Sequence, residues 1–261
     1  MIAACCRHYV QHCGGAADGW ASDPTGHGEE RLLRELAPVI EVALDVGAHS
    51  GAWTASLLAQ NPRATIHAFE PASDAYRALE LKQFPDQVHT YRTAMSSSSG
   101  RAHLHLFDGA AELNSLHNRF GLEEGFGIKP AILTEEVEVS TVDAFCTSQG
   151  LTRIDLLKID TEGHEVDVLR GSIRSLEQGV IGRVQFEYGG TYIDSRRLLK
   201  DAFEVFAGLD YALFRIVPGG LLAFPRYDQR LEDFRFSNYL ALRKDLISRT
   251  RSARHAMGVL R

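Results

Sequence analysis

Short apolar runs alternate with segments of helical period along most of this chain. "EVALDV" (41–46) has the length and apolarity of a buried strand, and "AWTASLLAQN" (52–61) has helical spacing. The pattern repeats as strand "ATIHAFE" (64–70), helix "SDAYRALELKQF" (73–84) capped by Ser73, and strand "QVHTYR" (87–92). After an irregular middle it resumes with strand "IDLLKID" (154–160), helix "EVDVLRGSIRSLEQ" (165–178), strand "VIGRVQFEY" (180–188) and helix "SRRLLKDAFEVFAGL" (195–209). "YALFRIV" (211–217) and "GLLAFP" (220–225) flank a Pro-Gly-Gly turn, and "SNYLALR" (237–243) is the last strand. Before the first strand, "EERLLRELA" (29–37) places Leu32, Leu33 and Leu36 on one helical face, with Pro38 following. The middle holds strands at 101–107 and 136–140, a helix at 141–149, and a long loop over 108–134 with four glycines and no clean period.

Strands alternating with helices call for an α/β fold: a mostly parallel sheet with helices on both faces. With 261 residues, the chain accommodates one large domain over 29–245, an N-terminal loop segment over 1–28 and a basic tail over 246–261 that reads as solvated. A net charge of -6 argues against a broad nucleic-acid surface, and no apolar run reaches the roughly 18 residues of a membrane span. Four cysteines are too few to staple a chain of this length, and no secretory signal is evident, so a cytoplasmic location is expected. Cys5, Cys6 and Cys13 lie among His8 and His12, but the spacing matches no zinc pattern. The oligomeric state is open, a homodimer included.

Sheets of this kind bind ligands at the carboxyl ends of their strands, near the switch in strand order. The first strand ends in "DVGAHSG" (45–51), where Gly47 and Gly51 bracket a turn into a helix. The spacing is GxxxG, neither the GxGxxG of dinucleotide binders nor a phosphate loop. Asp45 would repel a pyrophosphate, yet suits a ligand carrying ammonium and sulfonium charges, as S-adenosylmethionine does. The second strand ends in "AFEP", where Glu70 can accept hydrogen bonds from ribose hydroxyls.

"LDVGAHSG", "FEP" and above all "IDLLKIDTEGHEVDVLRG" resemble the FkbM family of S-adenosylmethionine-dependent methyltransferases. The resemblance covers roughly 40–245 and is weak over 108–134. It implies a class I methyltransferase fold, Rossmann-like, with seven strands of which the last is antiparallel. It also implies methyl transfer, mostly to a hydroxyl of a sugar, polyketide or other natural product. Carried over by position, Asp45, Gly47 and Gly51 would hold the methionine end of the cofactor, with Ala48 beside them. Glu70, followed by Pro71, would hold the ribose; Thr93 and Ala94 would lie near the adenine; Asp160 would face the methyl group.

The run from Leu156 to Gly171 crowds Lys158, Asp160, Glu162, His164 and Glu165 into one strand-helix junction. Lys158 and Asp160 are two apart and share a face, and Glu187 arrives on the next strand's end. Lys158 and Glu165 read chiefly as locks on the corner, whereas Asp160 and Glu187 read as shaping the acceptor site. An aliphatic hydroxyl must shed a proton, and His164 is an attractive base because its unperturbed pKa is near neutral. Asp160, Glu162 and Glu187 are rival bases, and a divalent metal among those three is a lesser alternative. The loop at 108–134, with Asn114, Ser115, His117 and Asn118, would form a lid, and "YGGTYIDSRR" (188–197) an opposing wall. The open alternatives are an N-methyltransferase, an NAD-dependent oxidoreductase and a non-catalytic cofactor-binding module.

Overall fold

The computed structural model describes residues 28–107, 110–119 and 133–258. The expectations for 1–27, for most of the 108–134 loop and for the last three residues lie outside these.

The first half of the chain builds α1 (Glu29–Leu36), β1 (Val42–Val46), α2 (Ala52–Gln60), β2 (Thr65–Phe69), α3 (Ser73–Glu80) and β3 (Val88–Tyr91). Then come β4 (Ala94–Met95), β5 (Gly100–Leu106), β6 (Leu133–Ser140) and α4 (Val142–Gln149). The second half comprises β7 (Leu156–Ile159), α5 (Glu165–Arg170), α6 (Ile173–Glu177), β8 (Arg183–Tyr188), α7 (Thr191–Ser195) and α8 (Leu199–Val205). It ends with β9 (Tyr211–Val217), β10 (Gly220–Phe224), β11 (Ser237–Arg243) and α9 (Arg251–Gly258).

Eight strands form the main sheet in the order β10-β9-β11-β8-β7-β1-β2-β3. The pairs joining β3, β2, β1, β7 and β8 are parallel, and β11 runs antiparallel between β8 and β9. This is the class I methyltransferase arrangement, with an antiparallel last strand. The eighth strand, beyond the seven expected, is β10: Pro218-Gly219 reverses the chain so tightly that Gly220 pairs with Val217 and β10 zips onto the edge of β9. The irregular middle makes a separate three-stranded sheet, β4-β6-β5.

Alternation along β1 and β7 divides the core. Leu44, Val46, Leu157 and Ile159 join Val142, Val166 and Leu169 in the cluster beneath α4–α6 and α8. Ala43 and Leu156 join Leu32, Leu33, Leu36 and Leu57 on the α1–α2 face. Strands buried on both faces need nearly continuous apolar sequence, which "VALDV" and "LLKI" supply except at Asp45 and Lys158.

Three local expectations change. Ser73 is not a cap: α3 begins at Ser73 itself, Ala72 occupies the cap position, and the Ala72 and Ser73 amides donate to the carboxylates of Glu70, two residues earlier, and of Glu135, on β6. The helix expected over 165–178 is broken at Gly171, where an added Cβ would sit 2.0 Å from the Ser96 carbonyl oxygen. The segment from Lys244 is not a solvated tail. It makes a 3₁₀ turn and then α9, whose Ala253 and Ala256 are buried in the α1 face of the core. The signal was weak because the fully packed contacts are two small alanines, with Leu246, Ile247 and Met257 only partly buried beside them, amid four arginines or lysines between 244 and 254. Ala253→Asp should therefore cost about 3 kcal/mol in denaturant unfolding, the scale of an unpaired buried charge. A loss under about 0.5 kcal/mol would show that α9 is not docked.

Candidate active site

The turn after β1 and the end of β7 come within touching distance at the switch in strand order. Gly47 has φ +81°, and a Cβ there would lie 1.7 Å from the Asp160 carbonyl oxygen. Only glycine combines that backbone with that contact. A cavity of about 430 Å³ opens above this junction, within the ~300–1,000 Å³ usual for small-molecule sites.

One end of the cavity is formed by Gly47, Ala48, His49, Glu70 and Pro71, with Thr93, Ala94 and Met95 beyond. Glu70 is buried, its Oε2 accepting from the His49 amide at 2.8 Å and its Oε1 from the Ala72 amide at 2.9 Å. Burial pushes its carboxyl up to about 7 against the pull of those two amides.

The other end gathers Lys158, Asp160, Glu162, His164, Glu187 and Thr191. Lys158 is nearly enclosed; its Nζ lies 3.1 Å from Asp160 Oδ2 and 3.5 Å from Asp45 Oδ1. Burial alone would lower its pKa, but the carboxylates of Asp160, Asp45 and Glu29 outweigh it and hold the ammonium charged above its ordinary range. Glu162 sits in a left-handed backbone, φ +54°, and receives Arg119 at 2.9 Å. Burial lifts Glu162 to about 8 despite Arg119. Side-chain oxygens of Asp160, Glu162 and Glu187 all lie within 4.8 Å of one another. Lys158 and Arg119 pair with two of them, Asp160 and Glu162.

Glu165 locks the corner, as expected. It is fully buried, and its Oε1 accepts from the Thr161 amide, the Thr161 hydroxyl and the Gly163 amide at 2.8, 3.0 and 3.2 Å. Lys158 and Asp160 share a face, but Lys158 is the clasp between the two strand ends rather than a free cation. His164 departs from its expected near-neutral titration. Its ring is clamped between Ser96 Oγ and His117 Nε2, each at 2.9 Å. Burial, then His117, brings its pKa down to about 4, so it is a weak base.

Eleven of the residues singled out in the sequence line the cavity: Gly47, Ala48, Glu70, Pro71, Thr93, Ala94, Lys158, Asp160, Glu162, His164 and Glu187. Asp45 and Gly51 are not among the lining residues. Asp45 is fully buried below the floor, accepting from Thr54 Oγ1 at 2.7 Å and paired with Lys158. Gly51 closes the turn, and a Cβ there would strike Leu79 and Phe84. From the expected lid, Asn114 and Ser115 line the cavity and His117 and Asn118 do not; from the expected wall, Gly189, Gly190 and Thr191 do. Glu29 and Arg119 also line it and carried no sequence signal, because each arrives from a segment distant from the strand-end motifs.

The strand order and the strand-end cavity define a class I methyltransferase fold. The Methyltransferase FkbM domain family matches residues 45–213, well over half of the chain, and the chain belongs to that family. It is similar to the hexuronic acid methyltransferase AglP of Haloferax volcanii, 30% identical over 66% of this chain and 66% of AglP. It is also similar to the 2-O-methyltransferase NoeI of Sinorhizobium fredii, 27% identical over 56% of this chain and 61% of NoeI. The 31-O-demethyl-FK506 methyltransferase FkbM of Streptomyces tacrolimicus is 28% identical over 52% of this chain and 61% of its own length. The chain thus spans about three fifths to two thirds of these relatives. A crystal structure of methyltransferase FkbM from Methylobacillus flagellatus KT superposes with a TM-score of 0.49 at 15% identity, covering 77% of this chain and 43% of that one.

Glu165 yields a pH test. Its folded pKa of about 7 lies above the ordinary 4.5, so the stability it contributes is full below 4.5 and lost as pH rises through 7. Glu165→Gln keeps an acceptor for the turn and cannot ionise. Between about pH 5 and 8.5 its stability relative to wild type should rise by on the order of 3 kcal/mol, followed by thermal or urea unfolding. Parallel pH curves for the two proteins would contradict this.

Proposed function

We propose that this protein is an S-adenosylmethionine-dependent methyltransferase acting on a hydroxyl of a small molecule such as a sugar or polyketide. The observation that carries the reading is one cavity with two differently built ends: a buried carboxylate held by backbone amides beside the β1 turn, and a cluster of acidic side chains at the ends of β7 and β8. Relatives named as a 2-O-methyltransferase and a hexuronic acid methyltransferase support the acceptor class.

The residues present fit the cofactor. Glu70 keeps a free lone pair on each carboxylate oxygen after accepting its amides, which suits two vicinal ribose hydroxyls. Gly47 and Ala48 bring backbone close to the ligand without a long side chain intervening, and Thr93, Ala94 and Met95 give a mostly apolar slot for a base. Thr191 adds a buried hydroxyl with no hydrogen-bond partner among the described residues. When bound, S-adenosylmethionine supplies a methyl group already activated on a sulfonium. The protein's part is placement: the acidic end orients the acceptor's hydroxyls, and enclosure by Leu113, Asn114 and Ser115 keeps water from competing. Asp160, next to the clasp, shapes the acceptor side together with Glu187.

Calorimetric titration of S-adenosylmethionine should show micromolar-scale binding that Glu70→Ala weakens by about tenfold or more, the loss of a charge-assisted hydrogen-bond pair. Wild-type affinity should also fall as pH drops below about 7, because protonated Glu70 loses acceptor capacity. Equal affinity in the two proteins, or no binding by either, would contradict the reading.

A further inference from the structure

We infer that Glu29 takes the proton from the acceptor hydroxyl, an assignment that rests on the methyl-transfer reading above. Glu29 opens α1, before the residues matched by the family, and reaches into the acidic end of the cavity. Its carboxylate is half-buried, and Gln185 Nε2 donates to its Oε1 at 2.5 Å. Gln185 is itself almost fully buried in β8, in register with Lys158. An amide there is a costly choice for a core strand, and holding Glu29 is the hydrogen bond it makes. No hydrogen bond to Oε2 is made by the described residues, which leaves that oxygen for an acceptor.

Of the other ionisable groups lining the cavity, which include Glu112 and His49, four are held by fixed partners. Asp160 holds Lys158, Glu162 holds Arg119, Glu70 takes two backbone amides, and His164 is fixed between Ser96 and His117. Glu187 is the rival that the test must separate. The charged groups acting on Glu29 from the sheet below are Asp160 and Lys158. Along its own helix, the Arg31 guanidinium is turned toward the Pro218 carbonyl and Ser252. Burial, then Asp160, raises Glu29 to about 7, with Lys158 and Gln185 opposing. That is the range in which a carboxylate base works at neutral pH.

The step balances simply. The acceptor O–H bond breaks and its proton goes to Glu29. The oxygen forms the new bond to the methyl carbon, and the electron pair of the broken carbon–sulfur bond stays on sulfur, leaving a neutral thioether.

The test uses the full chain as wild type, Glu29→Gln, Gln185→Leu and Glu187→Gln. Three readouts are taken: calorimetric binding of S-adenosylmethionine, transfer of tritiated methyl to a pool of methyl pyranosides and aliphatic alcohols across pH, and NMR titration of ¹³C-labelled glutamate carboxyls. The expected result is unchanged cofactor affinity in Glu29→Gln with a fall of about a hundredfold or more in kcat. The acid limb of the wild-type profile near 7 should vanish together with one carboxyl signal of the same midpoint. In Gln185→Leu the limb should move to higher pH, because the lost amide favoured the charged form. Glu29→Gln turning over within about threefold of wild type, or the limb vanishing in Glu187→Gln instead, overturns the assignment. A Glu29 carboxyl titrating below about 5 overturns it even where the pool holds no acceptor. Absence of cofactor binding in wild type would instead bring down the methyl-transfer reading itself.

Discussion

The buried clasp of Lys158 between Asp45 and Asp160 is the interaction on which the site depends. Two neighbouring parallel strands, β1 and β7, each carry a charge into the layer under α1 and α2. Neither charge would be tolerated alone, since a buried ion without a partner costs several kcal/mol. Together they link the strand ends where the chain also brings Gly47 against the backbone of Asp160. The indole of Trp53 lies 5.9 Å from the ammonium, a further favourable contact for a cation withdrawn from water. The ionisable groups at the junction therefore do not contradict a dry core. They separate into a floor, where Asp45 takes the Thr54 hydroxyl and pairs with Lys158, and an upper rank that faces the cavity.

That division explains what the cavity can do. On the β1–β2 side, backbone amides hold Glu70 in a fixed geometry suited to a polar, hydroxylated ligand. On the β7–β8 side, burial keeps several carboxyls near the point where they gain or lose a proton. Arg119 and Lys158 limit how much negative charge accumulates there. Glu165 secures the turn that presents Glu162 and His164, and its own ionisation is suppressed by enclosure.

Much of this was legible in the sequence because the chemistry sits at strand ends, and strand ends are where the apolar pattern stops. The strand-turn-helix units around Asp45, Glu70 and Asp160 were readable from short windows, and they place Glu70, Asp160 and Glu187 around one cavity. What was not legible depended on distance along the chain. Asp45 occupies a strand-end position but points below the floor, a fact decided by register with Lys158 and by Thr54. His164 carries an ordinary imidazole whose behaviour is set by His117, forty-seven residues earlier, and by Ser96. Glu29 belongs to a helix whose only sequence signal was its leucine face. The last helix buries two small alanines, too little apolar surface to stand out in so polar a segment.

A double-mutant cycle on Asp45 and Lys158, read by urea unfolding, tests the central claim most directly. If the clasp is the floor of the site, Lys158→Met alone should cost about 3–5 kcal/mol, because Asp45 is left buried without its cation. Adding Asp45→Asn should then restore a large part of that loss, with a coupling energy above about 1 kcal/mol. Losses that simply add would show the two charges to be independent, and the strand-end junction would have to be held by packing alone.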